Sequence, residues 1–198
     1  MRKYLSTFGL AALLVACPPS HAIIVSISPT SQSATAGSQV HANLVISGLG
    51  DRATPSLGTF DVNVGFDPAI LSFISAAFGN QLDILGLGSI QTVTRGIGVF
   101  VLFELSLDLP SDLDTLQKGS FTLASLNFNA LTAGTSALGI SINALGDSMG
   151  NSLVTDSMNG SVNVTAVPEP SSSLLIGVGF LGLVLIRRKS TWPRADAI

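Results

Sequence analysis

Among 198 residues there are one cysteine, one tryptophan, one tyrosine and two histidines, and only 11% of the chain is charged. Each shortage removes a class of chemistry. Between Ile23 and Glu169 no cysteine occurs and His41 is the single histidine. Zinc clusters and cysteine nucleophiles are therefore absent there, and a Ser-His-Asp triad would hang on one residue. Positive charge is also scarce in that stretch, where Arg52, Arg95 and Lys118 stand against eleven acids, a net charge of −8. So acidic a body repels phosphate backbones, which excludes nucleic acid as a partner, and it disfavours peripheral adhesion to anionic lipid. Trp192 and Tyr4 lie in the terminal blocks, so the middle has phenylalanine as its only aromatic. That weakens aromatic stacking on sugar rings and leaves hydrogen bonding by Asn, Ser and Thr.

Most of the apolar excess sits in a short block at each end. The first block has Arg2 and Lys3, an apolar stretch from Leu10 to Ala16, and then Pro18, Pro19, Ser20, His21 and Ala22. This is the pattern of a secretory signal peptide over 1–22. Small side chains at Ser20 and Ala22 place signal peptidase cleavage after Ala22. A second reading takes Leu14-Val15-Ala16-Cys17 as a lipobox with Cys17 lipidated, which Pro18 directly after the cysteine opposes. With cleavage at Ala22 the mature protein has no cysteine, in keeping with an export route where disulfides are not needed.

The last block contains Pro168-Glu169-Pro170, three serines, an uncharged run from Leu174 to Ile186, and Arg187-Arg188-Lys189. Those apolar residues make roughly 20 Å of helix, short of the ~30 Å hydrocarbon core. Extension to 172–186, with the arginines snorkelling, makes a marginal transmembrane helix. Arg187, Arg188 and Lys189 hold its far end in the cytoplasm, leaving 190–198 as a cytoplasmic tail and the middle of the chain outside. A Pro-Glu-Pro tripeptide, a glycine-bearing apolar helix and a basic end, in that order over 167–189, resemble the PEP-CTERM sorting signal. The resemblance implies recognition by exosortase, an integral membrane protease of Gram-negative bacteria, with Pro168, Glu169 and Pro170 marking the processing region. The tail from Ser190 to Ile198 runs longer than that pattern requires.

The middle, 23–166, reads as nine short strands: 23–27, 40–46, 59–66, 71–78, 89–94, 98–107, 120–128, 137–144 and 160–166. They are rich in β-formers and separated by Gly, Pro, Asn, Asp and Ser, with no convincing amphipathic helix between them. In 59–66 the alternation is strict: Phe60, Val62, Val64 and Phe66 take one face and Asp61, Asn63 and Gly65 the other. Between Phe121-x-Leu123 and Leu126-x-Phe128 the phase slips by one, which predicts a β-bulge near Ala124-Ser125. Asn159-Gly160 reads as a two-residue hairpin. The pattern is that of an all-β sandwich. The glycine-led segment Gly37 to Ile46, then Phe60 to Phe73 with Phe66-Asp67-Pro68 at its centre, then Phe78-Gly79-Asn80 and Gly119 to Phe128, resemble the cohesin fold. That fold is a nine-stranded jelly-roll sandwich related to some carbohydrate-binding modules. The resemblance implies a binding module, although no dockerin-contacting motif maps onto this chain residue by residue. An Ig-like sandwich is the alternative.

Few residues offer chemistry. His41 falls opposite the apolar face of its strand and reads as a surface residue without a nucleophile to serve. Asp108, Asp112 and Asp114 place oxygens at near-alternate positions, as calcium ligation requires, but without the glycine and distal glutamate of an EF-hand. Asp147, Asn151 and Asp156 form a looser group of the same kind. Both groups also read as solvated turns, and no other cofactor is indicated. The expectation is an exported, non-enzymatic protein of the cell surface or extracellular matrix that binds an extracellular protein. A polysaccharide ligand is the second reading and glycoside hydrolysis by some carboxylate pair the third.

Overall fold

The computed structural model describes residues 22–167, 177–180 and 183. The signal peptide up to His21, Cys17, Pro168-Glu169-Pro170, the basic cluster Arg187, Arg188 and Lys189, and the tail 190–198 lie outside these residues. Within the expected membrane helix, 177–180 and 183 are helical. Among the described residues no helix is long and apolar enough to cross a membrane.

Among the described residues eleven strands form two sheets. They are β1 (Ile23–Ser28), β2 (Ser31–Thr35), β3 (Gln39–Ser47), β4 (Leu57–Gly65), β5 (Leu71–Phe78), β6 (Ser89–Arg95), β7 (Val99–Ser106), β8 (Ser120–Ala130), β9 (Gly134–Asp147), β10 (Thr155–Met158) and β11 (Gly160–Thr165). One sheet has the order β10-β1-β3-β8-β5 and the other β2-β11-β9-β4-β7-β6. All nine expected strands are present, and β2 and β10 are additional. Neither additional strand has an apolar stripe of its own. They are short edge strands held by parallel pairing, β10 on β1 and β2 on β11. The two pairs are one ribbon that crosses between the sheets at Pro29 and Asn159, where Ser161 N–H donates to Thr30 O at 2.9 Å. Asn159-Gly160 is therefore a crossing point and not a hairpin, since β11 pairs with β9 and β2. Gly160 is needed there, because a Cβ would stand 2.6 Å from Ile27 Cγ2.

The alternation read from the sequence fills the space between the sheets. Val40, Ala42, Leu44 and Ile46 of β3 and Phe60, Val62 and Val64 of β4 are buried. At the centre Phe73 stacks on Phe100 with ring centroids 3.9 Å apart, and Phe66 and Phe73 meet Phe128 edge-on at 5.6 and 5.7 Å. The bulge lies in β8 one position from its expected place. Leu44 pairs with Ala124 and Val45 with Thr122, so Leu123 is the extra residue, and Leu123 and Ala124 are both buried.

Hydrogen bonds between turns define two ends. At one end Ala36 N–H donates to Thr165 O, Gly37 N–H to Ala130 O, Leu131 N–H to Ile70 O and Phe66 N–H to Gly98 O, at 2.8 to 2.9 Å. The chain leaves β11 here, so this is the exit end. Gly98, at φ 69°, closes the β6–β7 turn where a Cβ would come within 3.0 Å of Phe66 O. At the far end the segment read as an acidic loop forms a short helix, α1 (Pro110–Leu116). Proline occupies its first turn, where no intrahelical N–H donor is needed, and Asp112 lies near its positive end. Leu113 anchors α1 beneath the far-end loops, and the buried Gln117 braces them through Leu57 N–H, Leu57 O and Gln81 O.

Candidate functional site

A strand with one face on the core and one in water alternates apolar and polar residues. The β7 sequence VFVLFEL breaks that rule. Phe100 and Leu102 point inward and are fully buried, while Val99, Val101, Phe103 and Leu105 point outward. Val99 and Leu105 are exposed, Val101 and Phe103 half-buried, and no strand or helix of the described residues covers them. On β6, Ile90 lies opposite Leu105, Thr92 opposite Phe103 and Thr94 opposite Val101. On β4, Thr59, Asp61 and Asn63 lie opposite Leu105, Phe103 and Val101. The result is an apolar ridge along the outer face of the six-stranded sheet, ending near the free edge strand β6.

One flank of the ridge is a polar ladder. Asn143 of β9 donates from Nδ2 to Asp61 Oδ1 and Asn63 Oδ1, each at 2.9 Å, and accepts from Asn63 Nδ2 at 3.1 Å. This pins the polar groups in register beside Phe103. The other phenylalanines of the sandwich are buried in the core or packed against it, and Phe103 is the exception. Its signal was the apolar residue at almost every position from Val99 to Leu105, where a half-buried strand requires one only at every second position.

Glu104, on the inward side of β7, has a different role. It is 1% exposed, and its Oε1 accepts from Ser89 Oγ at 2.7 Å and Gln91 Nε2 at 2.9 Å. Burial raises its pKa, the two hydrogen bonds oppose the shift, and the nearby Asp83 charge adds to it. A carboxyl so enclosed is out of reach of a polymer lying on the surface.

The three calcium candidates have separate partners. Asp108 Oδ2 accepts from Ile84 N–H at 2.7 Å while its buried Oδ1 has no hydrogen-bond partner. Asp114 Oδ1 accepts from Ser148 Oγ at 2.9 Å and from Ser56 Oγ. Asp112 lies in the first turn of α1. Asp147 caps its own turn, accepting from Met149 N–H, Asn151 N–H and the Asn151 amide, and the amide is the main cause of its lowered pKa. Asp156 lies apart on β10. Among the described residues no group of three or more His, Cys, Asp or Glu side chains is placed to hold a metal ion. His41 is exposed on the outer face of the five-stranded sheet, where Nδ1 donates to Asn127 Oδ1.

Comparison with known proteins gives a result for each part of the chain. Residues 166–189 match the PEP-CTERM protein-sorting motif. The sandwich is similar to the sixth cohesin of Acetivibrio cellulolyticus scaffoldin B, solved with a Cel5 dockerin. The two are 22% identical over 73% of this chain and 99% of that one, with a TM-score of 0.59. It is similar to a type I cohesin of Clostridium thermocellum, solved in a cohesin-dockerin complex, at 13% identity over 73% and 99% of the two chains and a TM-score of 0.60. A non-cellulosomal cohesin from the archaeon Archaeoglobus fulgidus is 17% identical over 77% and 94%, with a TM-score of 0.54. No curated protein matches the chain in sequence. At these identities the likeness fixes the fold, which is a cohesin-like β-sandwich.

Proposed function

We propose that this cohesin-like chain, bearing a PEP-CTERM motif, is an exported, non-catalytic binding protein that docks an extracellular protein on the outer face of β6, β7, β4 and β9. The observation that carries the reading is the ridge of Val99, Val101, Phe103 and Leu105, on a strand apolar on both faces with only one face covered. An uncovered apolar ridge with a polar, hydrogen-bonded flank has the make-up of an interface core and rim. Structures of similar fold that hold dockerins support a protein as the occupant. The motif at 166–189 supports export by way of a membrane-anchored precursor. In this reading the signal peptide is removed after Ala22, the helix at 172–186 is the tether, and Arg187, Arg188 and Lys189 keep its end inside. Exosortase then acts near Pro168-Glu169-Pro170, releasing the sandwich to the surface or matrix of a Gram-negative cell.

One observation favours a second ligand class. Phe103 beside Asp61, Asn63 and Asn143 joins an aromatic face to amide and carboxylate groups, a combination that also suits a polysaccharide. Capture by the purified protein from the producing cell's own extracellular material separates the two. Loss of capture after protease treatment alone supports the protein reading, and loss after polysaccharide digestion alone replaces it with the second. Converting Pro168-Glu169-Pro170 to alanines is expected to leave the precursor unprocessed, and an unchanged mass of the extracellular form would refute the sorting reading.

A further inference from the structure

The fold ends where the sorting motif begins. β11 stops at Thr165 and the motif starts at residue 166. Eight residues separate Thr165 from Leu174, the first residue of the apolar run. Fully extended, they span at most about 30 Å. So short a leash turns the exit end of the sandwich toward the bilayer that holds the tether.

That end is built differently from the other. Ile97, between Gly96 and Gly98 at the tip of the β6–β7 turn, is 94% exposed, and Leu131 and Val167 are also exposed. A pocket of about 220 Å³ opens among Phe66, Pro68, Phe73, Ile97 and Leu131. The charged residues in the exit-end turns are Asp67 and Arg95, which cancel. Arg95 is held over the Phe73 ring at 5.0 Å and bonds Ile74 O. The far end also exposes leucines, but its loops carry Asp51, Asp83, Asp108, Asp112, Asp114 and Asp147 against Arg52 and Lys118, a net charge of −4. Half of the −8 that argues against lipid adhesion for the body as a whole therefore lies at the end away from the tether, and the exit-end turns carry none of it, Glu169 of the leash being the one uncompensated acid on that side. A neutral end with apolar tips can approach anionic headgroups without repulsion, whereas the far end cannot.

We propose that in the tethered precursor the exit end rests on the outer surface of the bilayer, with Ile97 entering the headgroup region and Leu131 and Val167 beside it. This rests on the membrane-anchored precursor of the preceding reading. It also brings Pro168-Glu169-Pro170 to the membrane surface, where an integral membrane protease can reach it.

The test uses the exported precursor from a host without exosortase, with Trp192→Phe removing the only tryptophan. It is reconstituted in phosphatidylethanolamine and phosphatidylglycerol vesicles that contain brominated lipid. Ile97→Trp is compared with Leu87→Trp, a matched far-end position between Gly86 and Gly88 that is 61% exposed. Both sites are on the surface, so neither change disturbs the core. The expected result is blue-shifted emission quenched several-fold more strongly at 97 than at 87. Equal quenching, or none at either site in protein that floats with the vesicles, overturns the proposal and leaves the anchored precursor standing. Protein that fails to float overturns the anchor and the proposal together.

Discussion

On the outer face of the five-stranded sheet, Gln39, His41 and Asn43 of β3 lie opposite Asn129, Asn127 and Ser125 of β8. Their side chains bond one another: Ser125 Oγ to Asn43 Oδ1 at 2.9 Å, Asn127 Nδ2 to Ser75 Oγ at 3.0 Å, and His41 to Asn127. On the outer face of the six-stranded sheet, β7 presents valine, phenylalanine and leucine at the equivalent positions. Both faces are the outward half of the same period-two pattern, so neither composition is forced by the core. The polar face needs no cover, because its donors and acceptors bond one another at His41, Asn43, Ser75, Ser125 and Asn127 and are otherwise open to water. The ridge is incomplete, because apolar area left in water gains about 25 cal/mol per Å² when something covers it. Under the proposed function the two faces have different work, solubility for one and docking for the other.

The largest expected effect falls on the ridge. Phe103→Thr keeps a β-former at an outward position and removes the centre of the proposed interface. Capture of the extracellular partner is expected to fall about 30-fold, about 2 kcal/mol, with the melting temperature nearly unchanged. A loss of stability matching the loss of capture would make Phe103 a structural residue and erase the contrast between the faces.

A smaller and opposite effect belongs to the polar face. Asn127→Ala removes the acceptor for His41 and the donor to Ser75, at an expected cost of about 1 kcal/mol in thermal unfolding. Capture is expected to stay at the native level. If Asn127→Ala weakens capture as much as Phe103→Thr does, the docking face has been assigned to the wrong sheet.

Legibility in the sequence follows the same division. Strands with one clean apolar stripe, such as β3 and β4, were readable, and so was the slip in β8, because burial imposes the period directly on the residues. The strands β2 and β10 were hidden, since SQSAT and TDSM bury little and owe their place to parallel partners far away in the chain. For the same reason Asn159-Gly160 looked like a hairpin, because turn residues report a change of direction and not which sheet receives the next strand. The acidic run became α1 through Leu113, an anchor that only the assembled far-end loops supply. The ridge was legible only as an excess. The residues VFVLFEL say that a strand has two apolar faces, while the identity of the uncovered face depends on the order of strands in the sheet.

The smallest effect lies directly behind the ridge and tests whether the strand beneath it is tuned for docking or for stability. Glu104 is enclosed on the inward side of β7, and burial raises its pKa above the ordinary glutamate range. The folded protein therefore holds this proton more tightly than the unfolded chain does. Stability is full below the unfolded pKa and declines as pH rises toward and through the folded value, because an enclosed carboxylate must then be charged. Glu104→Gln keeps the acceptor for Ser89 and Gln91 and removes the charge. Its melting temperature is expected to exceed the native one at pH 8, and the difference should close as pH falls below the ordinary carboxyl range. Capture should not change, since the side chain faces away from the ridge. A difference independent of pH would show that Glu104 is not ionised by folding-linked titration at all. A change in capture would show that the two sides of β7 are coupled, so that the outer face cannot be read apart from what lies under it.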